Sequence, residues 1–334
     1  MELKAELNYY PEEIKERYIS TPFLKPCFRD KNIQKKYIEI LPPSFGSHQL
    51  IDPCFPRLNS IYKPIRTIYN EPLSSTQIDL VENTLTHSNF ILKRVIKSKL
   101  LCTEHWNSAR REISIHSKLL HPNIVQMQAS GEAPEEFLLL LEYIPSADYF
   151  VESLEVNNEP FMLKRDGGIS KLQSFCFDIL QGLKYLHSLD IVHLDIKPGN
   201  LMLEKRVGND DYPVVKIGDF GLARNCERGG VRLPMKCGTE HFMAPEVRSG
   251  GWVTCKADMW SFGIFLHLLV VGYTPSALNW RPGTKLPMFK RHWRKYEGKG
   301  LFELIEQCLA LEPYDRLSAE EALQHEWFRA EPSH

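Results

Sequence analysis

From residue 64 onward the apolar residues of the chain follow two rhythms. The segments "PIRTIYN", "TQIDLVEN" and "NFILKRVI" (64–70, 76–83, 89–96) are short, rich in β-branched and aromatic residues, and separated by turn formers, which predicts three strands. In "TEHWNSARREISIHSKLL" (103–120) apolar residues recur three and four apart. That predicts a helix, and His121-Pro122 should stop it because the residue before proline is driven out of the helical region. "IVQMQASGE" and "EFLLLLEYI" then read as two further strands. Beyond Pro145 the helical period dominates, in "SKLQSFCFDILQGLKYLHS", "KADMWSFGIFLHLLVV", "GLFELIEQCLAL" and "SAEEALQHEW". The last opens with Ser318 and Glu321, the spacing of a capping box. Two short strand pairs are expected among these helices, one around "VHLDIKPGN" (192–200) and one around "VVKIGDFGLA" (214–223). The pattern is α+β: a small β-rich unit at 64–145 and a larger, mainly helical unit at 146–330.

The first 72 residues break this regularity, holding nine of the 22 prolines. Each proline removes a backbone donor and biases its predecessor towards extended geometry. Residues 1–63 are therefore read as an extension, part of which packs on the rest, not as a domain with its own core. The longest apolar stretch, "FGIFLHLLVVGY", is interrupted by His267 and is well short of the ~20 residues that span a bilayer. It reads as a buried helix of a soluble protein with no membrane span.

Charge adds only exclusions. Lys plus Arg (41) nearly balance Asp plus Glu (42), so nothing calls for nucleic acid or an anionic membrane. The basic run "KRHWRK" (290–295) reads as a solvated face. Eight cysteines are scattered without a CxxC pair, and the N-terminus lacks the apolar core of a signal peptide. Together these point to a reduced, intracellular chain, cytoplasmic or nuclear.

The chemistry is concentrated in "VHLDIKPGN". Asp195, Lys197 and Asn200 lie within six positions, between the apolar runs Ile191–Val192 and Leu201–Leu203. Asp219 follows in "IGDFGLA". A carboxylate that accepts a hydroxyl proton, a nearby cation, and an amide with a second carboxylate to hold Mg²⁺ suit phosphoryl transfer, a reaction governed by positioning and charge neutralisation.

In this order, with "FMAPEV" downstream, the chain resembles the eukaryotic protein kinases over about residues 64–330, whose signatures are a Gly-rich loop, VAIK, HRDLxxxN, DFG and APE. The resemblance implies the bilobal protein-kinase fold. It makes Asp195 the catalytic base, Asn200 and Asp219 the Mg²⁺ ligands, and Lys197 a contact to the transferred phosphate. Lys197 and "GTEHFMAPE" are similar to the Ser/Thr branch, with Thr239 lining the substrate groove. "FILK" stands where VAIK would, so Lys93 (with Lys97 and Lys99 as neighbouring rivals) would hold the nucleotide phosphates, aimed by Glu112. "LLLLEYIP" is similar to the hinge: Leu141 guards the back pocket, the backbones of Glu142 and Ile144 meet adenine, and Asp148 reaches ribose. Met202 and Ile91 would sandwich the purine, and Ile78 takes the place of the loop's valine. The resemblance also implies a Glu246–Arg316 pair and an Asp258 that holds the catalytic loop from below.

The chain departs from the family pattern twice. Leu194 replaces the arginine of HRD, which in the family pairs with a phosphorylated activation-loop residue. Residues 222–238 contain no Ser, Thr or Tyr, so both halves of that contact are missing. No glycine lies between Gly46 and Gly131; "EPLSSTQI" takes the place of the phosphate loop, with Ser74, Ser75 and Thr76 as candidate donors. The expected function is ATP- and Mg²⁺-dependent phosphorylation of Ser/Thr on a protein substrate, with a regulatory partner possible through residues 1–63. The alternative is a pseudokinase scaffold, favoured by the missing glycines. A kinase-fold enzyme for small molecules is disfavoured by the "GTEHFMAPE" segment.

Overall fold

The computed structural model describes residues 61–145, 168–204, 213–227, 229–233, 236–278, 280–286 and 300–329. Asp148 and the basic run 290–295 lie outside the described residues, as does all but the end of the N-terminal extension. The chain divides into two units. Among the described residues the smaller comprises 61–120 and 125–143. The larger comprises 121–124 and the residues from Ile144 onward.

The small unit is a five-stranded antiparallel sheet: β1 (Tyr62–Asn70), β2 (Thr76–Asn83), β3 (Asn89–Ile96), β4 (Met127–Glu132) and β5 (Glu136–Glu142), in the order β1-β2-β3-β5-β4. β1 begins at Tyr62, just ahead of the expected start at 64. It is an edge strand with two register shifts, one of them next to Pro64, where a missing ladder donor is tolerated. Helix α1 (Thr103–His116) covers one face. There Val95, Ala109, Ile113, Met127, Phe137 and Leu139 form a core, while Val81, Leu92, Leu138 and Leu140 pack on the other face. The run of leucines in β5 is thus explained by alternation, since successive residues enter opposite cores. α1 is shorter than its apolar pattern, because residues after His116 tighten into turns with Lys118 N–H on Ile115 O and Leu119 N–H on His116 O.

In the large unit α2 (Gly168–Ser188) leads to the short β6 (Ile191–Val192). The hairpin β7 (Leu201–Glu204) and β8 (Val214–Ile217) follows. Two-residue strands β9 (Arg224–Asn225) and β10 (Val231–Arg232) pair with β6 and with β11 (Trp252–Val253) respectively. Between β10 and β11 lies α3 (Pro245–Ser249). Helix α4 (Lys256–Val271) is buried on every side except at Lys256 and Leu268, as its nearly continuous apolar run demands. α5 (Leu301–Cys308), α6 (Ala319–Leu323) and α7 (Glu326–Arg329) complete the unit.

The capping box at Ser318 and Glu321 is formed. However, "SAEEALQHEW" is not one helix: i→i+3 bonds at Gln324 and His325 end α6, and His325 Nδ1 accepts the Trp327 N–H at the start of α7. Among the described residues no helix is long and apolar enough to cross a membrane.

The stretch 121–124 is lent to the large unit from between α1 and β4. Ile124 bridges Ile217 in parallel, and Asn123 donates through Nδ2 to Val215 O at 2.9 Å while its carbonyl accepts the Ile217 N–H at 2.8 Å. This fastens β8, the strand that delivers Asp219.

Candidate active site

The loop after β6 owes its shape to one buried carboxylate. Asp258, in the first turn of α4 and fully buried, accepts the N–H groups of His193 and Leu194, each at 2.8 Å, and His187 Nε2 at 3.0 Å. Leu194 sits at φ 69°, a region costing a non-glycine residue roughly 1–2 kcal/mol. The Asp258 bonds hold it there, and the turn sends Asp195 back across the loop. His193 fixes both ends of the site: its Nδ1 accepts the Asp195 N–H at 3.2 Å and its Nε2 donates to Gly218 O at 3.0 Å.

Asp195 is the hub. Its Oδ1 accepts the Thr239 N–H at 3.0 Å and the Thr239 hydroxyl at 2.8 Å. Its Oδ2 lies 2.9 Å from Asn200 Nδ2 and 2.7 Å from Lys197 Nζ. Lys197 also donates to Thr239 Oγ1 at 2.9 Å, so Thr239 bridges the acid and the amine. Gly238, at φ 102°, precedes it, and a Cβ there would stand 2.7 Å from Leu194 O. Only glycine lets the chain pass this close to the loop after β6.

Asn200 turns its Nδ2 to the backbone and side-chain oxygens of Asp195, which leaves Oδ1 without a protein partner among the described residues. The preceding turn is held by the Asn200 N–H on Lys197 O, and Gly218 N–H closes on Asn200 O at 2.9 Å. Asp219 follows Gly218 at φ 58°. This left-handed turn exposes the carboxylate while burying Phe220 edge-on against His193, with ring centroids 5.0 Å apart. Met202 is partly exposed on β7 opposite Lys216, between the buried Leu201 and Leu203.

In the small unit, Lys93 on β3 reaches Glu112 on α1, Nζ to Oε1 at 2.7 Å. The rival lysines are engaged elsewhere: Lys97 donates to Glu132 Oε1 and Ala133 O, and Lys99 to Ser74 O. Ile78 lies opposite Lys93, and Ile91 opposite both Leu80 and Leu141. Ile78, Ile91, Lys93 and Leu141 therefore share one face of the sheet, each only partly buried. Glu142 closes β5, its N–H on Gln126 O and its Oε1 accepting the Gln126 N–H. Ile144, buried, is the first residue of the larger unit after the sheet.

The β1–β2 turn satisfies itself. Ser74 N–H bonds to Glu71 O and Thr76 N–H to Ser74 Oγ, while Ser75 O accepts the Ile96 N–H at 2.7 Å. Of the three donors expected for phosphate, two backbone N–H groups are thus used inside the turn. Lys99 ties Ser74 from outside, a contact its sequence position did not announce.

The pair expected of Glu246 and Arg316 is present: Arg316 donates Nη1 to Oε1 at 2.6 Å and Nη2 to Oε2 at 2.8 Å. It also lies over the Trp260 ring at 5.0 Å.

A family model for the protein kinase domain matches residues 74–328. The chain is 30% identical to a probable myosin light chain kinase of Dictyostelium discoideum over 74% of its length. It is 30% identical to CBL-interacting serine/threonine-protein kinase 8 of Arabidopsis thaliana over 75%, and 27% identical to myosin light chain kinase family member 4 of Homo sapiens over 86%. The matched segment spans about half of the first two relatives' own lengths, 51% and 54%, and 71% of the human protein.

Proposed function

The chain belongs to the protein kinase family, and we propose that it is a serine/threonine kinase that transfers the γ-phosphate of ATP to hydroxyl groups of a protein. The observation that carries this reading is the Asp195 carboxylate, held by Asn200, Lys197 and Thr239 at 2.7–3.0 Å. A carboxylate so oriented accepts the proton of an attacking hydroxyl, and Lys197 beside it neutralises charge on the phosphoryl group in flight. Lys93, aimed by Glu112, holds nucleotide phosphate oxygens.

Mg²⁺ would be held by the Asn200 amide oxygen and the Asp219 carboxylate, hard oxygen donors of the kind it takes. When bound with ATP, Mg²⁺ supplies charge neutralisation across the phosphates. Ile78, Ile91, Leu141 and Met202 are the apolar contacts to the purine, and the backbones of Glu142 and Ile144 its polar ones, with Asp148 reaching ribose.

The kinase lobes are residues 64–145 and 146–330, preceded by a proline-rich extension through which a regulatory partner could act. The enzyme works in an intracellular compartment. Leu194 in place of the HRD arginine, with no acceptor in residues 222–238, makes activity independent of activation-loop phosphorylation. The scaffold reading has only the glycine-free turn in its favour.

The test is transfer from labelled ATP with Mg²⁺ to casein, beside Asp195→Asn. The expected result is phosphoserine or phosphothreonine formation that drops by about a hundredfold or more in the variant. Absence of transfer in the wild-type protein at saturating nucleotide would establish the scaffold reading instead.

A further inference from the structure

A pair of thiols lies in the large unit, apart from the groups that hold nucleotide and substrate. β9 runs antiparallel to β6, with Asn225 opposite Ile191, and the next residue, Cys226, donates its N–H to Asp190 O at 2.6 Å. Cys255 immediately precedes α4. The sulfurs cross over one another's supports. Cys226 Sγ lies 3.3 Å from Val253 O, two residues ahead of Cys255, and Cys255 Sγ lies 3.7 Å from Ile191 O, beside Cys226's own backbone partner. Both are free thiols, and these crossed contacts set the two side chains beside each other.

We propose that Cys226 and Cys255 form a peroxide-sensitive dithiol, a modification site that closes to a disulfide tying the strand after "DFG" to the start of α4. The proposal stands on backbone placement within one unit and is independent of the phosphotransfer reading.

The oxidant is a peroxide. The Cys226 thiolate attacks one peroxide oxygen, the O–O bond breaks, and hydroxide leaves, taking up a proton to become water. The resulting sulfenic acid carries the oxygen on sulfur. Cys255 then attacks that sulfur and gives up its proton, the S–O bond breaks, and a second water departs. The pair loses two electrons, and the peroxide is reduced to two waters. A dithiol reductant reverses the step by thiol–disulfide exchange.

The pair's asymmetry favours Cys226 as the attacking thiol. The neighbouring Cys255 side chain lowers the pKa of Cys226, against burial and the charges of Asp258 and Asp190. The same proximity raises that of Cys255. Cys255 keeps partial exposure, and hydrogen peroxide, with two heavy atoms, needs only a local opening to reach its neighbour. Three other described thiols differ in kind. Burial pushes Cys308 up to about 12 and raises Cys176 as well, while Cys102 is exposed.

The test is peptide mapping of the full chain after hydrogen peroxide, alkylation, and digestion with trypsin without reductant. Cys226, Cys237 and Cys255 fall on separate peptides, 225–228, 237–248 and 249–256. The expected product is 225–228 joined to 249–256, two hydrogens lighter than the sum of the free peptides and lost on treatment with dithiothreitol. In Cys255→Ser the reaction should stop at the sulfenic acid, so dimedone labelling of Cys226 rises above wild type; Cys226→Ser should lose both products. Cys226 and Cys255 recovered as separate thiols at doses that oxidise the exposed Cys102 would overturn the proposal. Joining of 225–228 to 237–248 would also overturn it. The wild-type map decides the question even where a variant fails to fold.

Discussion

Thr239 carries two bonds through one oxygen, donating to Asp195 and accepting from Lys197, while its N–H separately fixes the same Asp195 oxygen. Valine has the same shape without the hydroxyl. In Thr239→Val the backbone bond should survive while the acid and the amine lose their common partner. The expected outcome is a fall in kcat of about tenfold to a hundredfold, an unchanged KM for ATP, and recovery in Thr239→Ser, measured by steady-state kinetics.

His121 gives a residue-scale dependence on pH. Burial lowers its pKa from 6.5 to about 4. Its ring stacks on Tyr185 and its Nδ1 accepts the Asn123 N–H, an arrangement that suits the neutral imidazole. The unfolded chain binds a proton at this histidine from about pH 6.5 downward, and the folded chain only near 4. Stability is therefore full above 6.5 and falls with pH, by about 3 kcal/mol once pH 4 is reached. Urea titrations at pH 7 and 4 should show His121→Asn losing less stability over that interval than the wild type, by about this amount.

Among the elements, α4 is held by what its glycine omits. A Cβ on Gly263 would stand 2.8 Å from Cys308 Cβ and 2.9 Å from Leu309 Cδ2, so α5 packs directly on the helix backbone. Alanine raises helix propensity by about 1 kcal/mol, but this overlap involves a Cβ close to the main chain and cannot be relieved by a rotamer. Gly263→Ala should therefore destabilise the protein, by about 1–3 kcal/mol net, as read from urea unfolding. Such elements were legible in the sequence to the extent that burial alone defines them. α2 and α4 carry long apolar patterns, and the strands from β1 to β5 alternate or run apolar between turn formers. The two-residue strands β9, β10 and β11 have no pattern of their own; they exist because tertiary pairing supplies partners. α6 and α7 were read as one helix because periodicity continues across a break made by side-chain capping at His325.

For the whole molecule, site residues in one loop, Asp195, Lys197 and Asn200, could be read together from their spacing. The Asp258 contact was legible only through the family resemblance, while those made by Lys99 and the crossed thiols join segments far apart in sequence, and spacing carries no record of them. With the Ser74 and Thr76 N–H groups satisfied inside their own turn, few backbone donors remain there for a bound phosphate. A hydrogen bond to a charged group contributes roughly 1.5–3 kcal/mol, about tenfold to a hundredfold in affinity. Calorimetry with Mg²⁺ should show ATP and ADP binding only slightly more tightly than adenosine. A steep gain from adenosine to ATP would show that the turn rearranges to supply the missing donors.

The buried Asp258 carboxylate also sets a rate. The amide protons of His193 and Leu194 end on it at 2.8 Å, inside the core around α4. Solvent reaches them only when that core opens, although by secondary structure they belong to a loop. In deuterated water these two amides should exchange as slowly as the middle of α4, at the pace of unfolding of the large unit and not at that of surface loops. Hydrogen exchange resolved by residue would display the loop after β6 keeping the helix's time.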